Sequence, residues 1–186
     1  MMDRGVRAVS VETQLMTFDE FLKLPDPPGG YYELHHGQVV FMSNPKKPHT
    51  RVQKALFDLL YPLLSGLGFL TLEFPFRPEP EHESWRCDIG FATQERLDND
   101  EDDYFMGAPD LVIEVLSPSN TVDEILDRQD ICLDNGCIAF WTVDPKRQTV
   151  MVTTPDRKTI TYDRSSRVPL PEPFQGSIEV AAIFKS

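Results

Sequence analysis

Apolar and polar positions along this chain follow two periods, and the switches between them mark out the elements. Thr17-Phe18-Asp19-Glu20 is a capping box, with a hydroxyl for an orphan amide and a carboxylate three residues on. With Phe21, Leu22 and Leu24 behind it, it predicts a short helix that stops before Pro25. After the turn Pro27-Pro28-Gly29-Gly30, residues 31–34 and 38–42 flank His35-His36-Gly37 and predict a β-hairpin. Between His49 and Leu64, Val52, Ala55, Leu56, Leu59, Leu60, Leu63 and Leu64 recur at spacings of three and four, as one face of a long helix requires; Gly66 and Gly68 stop it. Residues 69–74 and 85–92 read as strands separated by a proline-rich bend over residues 75–80. Leu111-Val112-Ile113-Glu114-Val115-Leu116 is apolar on both parities except at Glu114, the pattern of a central strand covered on two faces. A second capping box, Thr121-Val122-Asp123-Glu124, opens a helix over 121–134 that Asn135-Gly136 ends. Further strands are expected at 138–143, 149–154 and 159–162, the last two joined over Pro155-Asp156-Arg157-Lys158. The sum is an α/β (α+β) arrangement, a mixed sheet with one helix before its central strands and another after them.

Length and charge narrow the class. The 186 residues form an expected single domain over 16–186 with an amino-terminal extension over 1–15. No apolar run approaches the roughly 18 residues of a membrane span, and the first residues lack a secretory pattern, so a cytoplasmic protein is expected. Cys87, Cys132 and Cys137 make neither a CxxC pair nor a zinc spacing with the four histidines. Eighteen Lys and Arg against 30 Asp and Glu leave a net charge of −12, which argues against non-specific affinity for nucleic-acid backbones. Part of that charge is local: between Gln94 and Tyr104 stand six acids and one base. That segment reads as a solvated, flexible loop, with a lid or a protein contact as the alternative.

Several charged residues stand where a core is expected. Glu114 shares a strand face with Val112 and Leu116 if the pleat is regular, and a buried carboxylate must neutralise or find a cation. Asp88 poses the same question on the preceding strand. If the two strands are neighbours, the carboxylates face each other and a divalent cation, magnesium or manganese, would relieve them; a salt bridge to Arg or Lys is the other solution. Asp110 reads as a turn or strand-entry residue rather than a metal ligand. Glu33, a lone acid among aromatic and apolar neighbours, is either an exposed strand position or a third carboxylate of the site. Arg128 falls just outside the apolar arc formed by Val122, Ile125, Leu126, Cys132 and Leu133, so it either reaches back to the sheet or is a solvated helix residue. His35 and His36 belong to a solvated turn, and His49, at the start of the long helix, either points at the site or has a capping or surface role. Lys46 and Lys47 read as surface lysines within reach of a phosphate.

Tyr32-Glu33-Leu34 with Gly37, Arg86-Cys87-Asp88, the run from Ala108 to Ser119, Gly136, Trp141-Thr142-Val143-Asp144-Pro145 and Ala181-Ala182-Ile183-Phe184 occur in an order that resembles the Uma-type bacterial family of putative restriction endonucleases, within the PD-(D/E)XK nuclease superfamily. The resemblance runs from about residue 16 to residue 184. It implies a restriction-endonuclease-like fold and a magnesium-dependent (or manganese-dependent) endonuclease that hydrolyses DNA, with a homodimer expected for cutting two strands. On this resemblance Asp88, Glu114 and a backbone carbonyl near Val115 hold the metal, and Glu33 is the auxiliary acid. The superfamily's lysine position is Leu116 here; the family's substitute lysine, on the following helix eight residues before its terminal glycine, falls on Arg128, and its tyrosine on Cys132. Arginine cannot serve as a general base but can orient a phosphate. The family's glutamate before the aromatic pair is Ala139, and its proline before Asp88 is Cys87. A non-catalytic binding or assembly protein on the same fold is the competing expectation, favoured by the charge of −12 and the missing lysine.

Overall fold

The computed structural model describes residues 15–100 and 103–185, so the extension expected over residues 1–15 lies almost wholly outside the described residues. Its elements run α1 (Phe18–Phe21), β1 (Gly30–His35), β2 (Gln38–Ser43), α2 (Lys47–Leu64), β3 (Gly68–Phe76), β4 (Trp85–Thr93), α3 (Gln94–Asp98), β5 (Leu111–Val115), α4 (Val122–Asp134), β6 (Ala139–Asp144), β7 (Thr149–Thr153), β8 (Thr159–Tyr162), β9 (Arg167–Pro169), β10 (Ser177–Glu179) and α5 (Val180–Ile183). Both capping boxes form, at Thr17 and Thr121, and each satisfies an amide that the first helical turn leaves unpaired.

A six-stranded sheet ordered β3-β4-β5-β6-β7-β8 carries the core. Every neighbouring pair is antiparallel except β5 and β6. A parallel pair needs a crossover, and α4 supplies it. On one face α2 lays Val52, Leu56, Leu60 and Leu64 over Ile89, Phe91, Leu111 and Ile113, joined by Val168, Ile178 and Ile183 from the carboxy-terminal elements. On the other, Cys132 and Leu133 of α4 meet Cys87, Val112 and Phe140. The hairpin β1-β2 stands outside this sheet and is tied to it where Leu34 and Ser84 exchange both backbone hydrogen bonds, at 2.9 and 3.0 Å.

Three sequence expectations change. First, β3 runs through Pro75 to Phe76 instead of bending there. It is an edge strand, so a residue without an N–H is tolerated. Second, the pleat is not regular at the site. Ile89 and Phe91 pack toward α2, but Cys87 packs toward α4, and in β3 Leu70 and Phe74 divide in the same way. Between the pairs Leu72–Ile89 and Phe74–Cys87 the ladder skips Glu73 and Asp88, and Glu73 has φ of 52°. Gly90 permits the switch, because a Cβ there would meet the Phe74 side chain at 2.5 Å. Third, the buried face of α4 is rotated. Val122 and Leu126 are 72% and 48% exposed, whereas Arg128 is 8% exposed, so the arginine lies within the buried face and the solvated reading does not hold.

Candidate functional site

Arg128 organises the first half of the site. Its Nη2 donates to Glu33 Oε2 at 2.5 Å, and its Nη1 donates to Glu114 Oε1 at 2.8 Å and to the Arg86 carbonyl at 2.7 Å. The guanidinium carbon lies 5.0 Å from the centre of the Trp85 ring, so the arginine is sandwiched as well as paired. Three separate elements, β1, β5 and α4, therefore meet at one cation. The planar fork makes this possible, since a guanidinium presents fixed, divergent donors where an ammonium presents a point charge.

Glu33 is fully enclosed. Besides Arg128, its Oε2 accepts from His35 Nε2 at 2.7 Å and its Oε1 accepts from the Arg86 amide at 2.7 Å. The exposed-strand alternative for Glu33 is thereby excluded, and the Arg86 peptide is clamped from both sides, its N–H by Glu33 and its carbonyl by Arg128. His35 is not a free turn residue either: it ends β1 and stacks on Trp85 with ring centres 5.1 Å apart.

The two glutamates differ in electrostatics because one guanidinium cannot neutralise both the buried Glu33 and the part-buried Glu114. Burial opposes the charge on Glu33, but Arg128, His35 and the Arg86 amide outweigh it and hold its pKa below the ordinary value. Glu114 has fewer donors. Burial pushes its pKa up to about 8, Asp88 and Glu33 add to the rise, and Arg128 only partly offsets it. No hydrogen bond reaches Glu114 Oε2 among the described residues, and with the side chain 12% exposed that oxygen is open to solvent and to a cation from it.

Asp88 belongs to a second cluster. Its Oδ1 accepts from His49 Nε2 and from Gln53 Nε2, each at 2.8 Å, and its Oδ2 accepts from the Val115 amide at 2.6 Å. Gln53 also donates to Glu73 Oε1 at 2.7 Å. Burial and the neighbouring Asp88 raise the pKa of Glu73. Asp88 and Glu114 share no donor, yet Asp88 accepts from the amide of the residue after Glu114 and is close enough to raise its pKa. The switch in the pleat turns Asp88 toward α2, while Glu114 follows Val112 toward α4, and each finds its own donors. Val115 enters through its amide hydrogen bond to Asp88.

Sequence reasoning missed Gln53 and Glu73 as site neighbours, and of the two readings left for His49 the structure takes the one that points at the site. The signal was present in Gln53, a polar residue on the apolar side of α2 one turn after His49. Asp110 stands as read, a strand-entry residue: its Oδ2 accepts from the Thr93 amide at 2.8 Å, and Arg96 lies 3.4 Å from its Oδ1. The first part of the acidic segment forms α3, with Arg96 against Asp110 and the Phe105 ring. His36 is exposed, between Glu83 and Asp127.

Among the described residues, no three His, Cys, Asp or Glu side chains form a ready metal cage. The donor chemistry nevertheless suits a hard divalent cation. Carboxylate oxygens are its preferred ligands, Glu114 Oε2 accepts no hydrogen bond, and Asp88 Oδ2 accepts only one.

Comparison with known proteins agrees with this fold. A family profile described as "Uma2: Putative restriction endonuclease" matches residues 18–182. Among solved structures, a putative nuclease of the DUF820 group from Anabaena variabilis is similar at 26% identity and a TM-score of 0.75, covering 91% of this chain and 97% of that one. No curated protein matches. No helix among the described residues is long and apolar enough to cross a membrane.

Proposed function

The chain belongs to the Uma2 family of putative restriction endonucleases, and from that premise we propose that it is a divalent-metal-dependent endonuclease acting on DNA. One observation carries the reading: Glu33 and Glu114 share a single buried guanidinium, with Asp88 close enough to Glu114 to raise its pKa, and Glu114 is left without full compensation. A structural ion pair alone has no use for the surplus carboxylate. A site that receives a cation does.

In this reading Asp88, Glu114 and a backbone carbonyl near Val115 hold magnesium or manganese. When bound, such an ion lowers the pKa of a water and neutralises charge on phosphoryl oxygens. The chain's own residues supply positioning. Gln53, His49 and the Val115 amide fix the Asp88 carboxylate. Arg128 remains protonated throughout and is the phosphate-orienting cation, while Glu33 holds its fork in place. DNA as the partner is supported by a local reversal of charge. Lys46, Lys47, Arg51 and Lys54 are exposed around the start of α2, and no acid occurs from Asn44 to Phe57, although the chain as a whole is at −12. Two copies acting together would serve two-strand cleavage, and sedimentation tests that part of the proposal.

The test is nicking of supercoiled DNA with millimolar magnesium or manganese. The wild type should nick, whereas Asp88→Asn and Glu114→Gln should not. Absence of cleavage by the wild type with either metal overturns the enzymatic reading. The specific observation that Arg128 already spans both glutamates would then favour a binding or assembly role.

A further inference from the structure

A second concave surface lies on the other side of the Arg86 peptide. It measures about 260 Å³ and is walled by α1, β1 and the ends of β3 and β4 where they face the acidic segment. Its lining sets two arginines against one acid, Asp26, in a chain that is strongly acidic as a whole. Phe21, Tyr31, Tyr32 and Tyr104 contribute rings, and Arg77 and Arg86 contribute guanidinium groups. Arg86 is exposed, with its guanidinium carbon 4.4 Å from the centre of the Tyr31 ring. Tyr104 is an exposed aromatic at 41%.

Arg77 supplies the observation that points to a ligand. Its guanidinium lies 3.6 Å over the Phe18 ring, and its Nη2 donates to the Pro80 carbonyl. Its Nε is buried and has no hydrogen-bond partner among the described residues. That nitrogen is sealed from solvent, but Arg77 as a residue is half-buried and lines the pocket, so its charge is available to an anion there. Flat rings beside two fixed cations match a planar base joined to a phosphate. The volume sits just below the roughly 300–1,000 Å³ of ordinary small-molecule pockets, so it admits about one nucleotide.

We propose that this pocket takes one unpaired nucleotide of single-stranded DNA, its base against the tyrosines and its phosphate on Arg77 and Arg86. The inference rests on the nuclease reading for its purpose. Arg86 lines the pocket with its side chain, while its peptide is held by Glu33 and Arg128, so a strand anchored there runs directly toward Asp88, two residues along β4. It also accounts for the charge. Duplex affinity depends on many phosphate contacts, which a chain at −12 is poorly equipped to make, whereas stacking supplies affinity that every base can use.

The test is fluorescence polarisation with a labelled ten-residue thymidine oligonucleotide and a blunt ten-base-pair duplex, in EDTA so that cleavage plays no part. The single strand should bind at least about tenfold more tightly than the duplex. Tyr104→Ala, an exposed position, should weaken single-strand binding about 5–150-fold, the range of one lost base–aromatic stack. Arg86→Gln should weaken it and make it less dependent on salt. Equal affinity for duplex and single strand, or a Tyr104→Ala protein that binds the oligonucleotide as well as wild type, overturns the proposal. The two readings separate cleanly. Nicking without single-strand preference refutes the pocket alone, and single-strand preference without nicking under any metal refutes the endonuclease alone.

Discussion

Two arginines in this protein do formally the same thing at opposite faces of α4. Arg128 bridges Glu33 and Glu114 inside the molecule, and Arg157, on the turn between β7 and β8, bridges Asp130 and Asp134 outside it, at 2.9 and 2.6 Å. Water makes the difference. Around Arg157 every charge is solvated, so two acids on one cation cost little and the pairs contribute little. Around Arg128 Glu33 has left water and Glu114 keeps only a small exposed edge, so the second acid is poorly screened and its pKa is pushed up. The same arrangement of charges is solvated in one place and, in the other, leaves one carboxylate with its pKa pushed up to about 8.

The sharpest way to break this comparison is to remove each cation. Arg128→Ala strands two carboxylates and should cost about 3–5 kcal/mol, a fall in melting temperature of about 6–20 °C at neutral pH. Arg128→Lys keeps the charge but loses the fork, so calorimetry should place it between wild type and the alanine variant. A melting temperature for Arg128→Ala equal to that of the wild type would mean that the buried network carries no stability.

Next in size is the pH dependence of the metal-free protein. A carboxyl raised from 4.5 to about 8 in the folded state keeps a proton there that the unfolded chain has already lost. The folded state therefore binds more protons across that window, and stability falls as pH rises from about 4.5 to about 8. His36, His49, Glu73 and Glu83 are also raised and act in the same direction, so the informative quantity is the difference between proteins. Glu114→Gln should flatten the decline seen in denaturant titrations between those pH values. Identical slopes would show that Glu114 ionises normally. Glu33, held low, acts at the other end, and its contribution is lost as pH falls below the ordinary carboxylate range. The smallest effect belongs to the exposed pair: Arg157→Ala should change stability by no more than about 1 kcal/mol, and less in high salt. A loss as large as that of Arg128→Ala would erase the distinction between the two faces.

The sequence made these elements legible where local signals agree, and hid the site where they do not. The β1-β2 hairpin, α2 and α4 follow from capping residues, glycines and apolar spacing, and their observed ends lie within about two residues of the expected ones. The partners of Asp88 could not be read, because a non-glycine residue at positive φ, Glu73, marks a switch of faces that an alternating pattern cannot announce. For Arg128 the periodicity left two readings open for a related reason, and the structure takes the one that reaches back to the sheet. Val122 and Leu126 extend the apolar arc to the wrong side, and only the acids waiting on β1 and β5 pull the arginine inward. The short β9, β10 and α5 carry too few residues for a period to show.

The central claim is that Glu114 awaits a divalent cation, and thermal melting at pH 7 to 8 with and without magnesium or manganese tests it most directly. A ligand that binds the folded state alone raises the melting temperature in proportion to its saturation. Wild type should be stabilised by millimolar metal and Glu114→Gln should not respond, even if its metal-free form is the more stable of the two. An equal shift in both proteins, or none in the wild type, would contradict the claim.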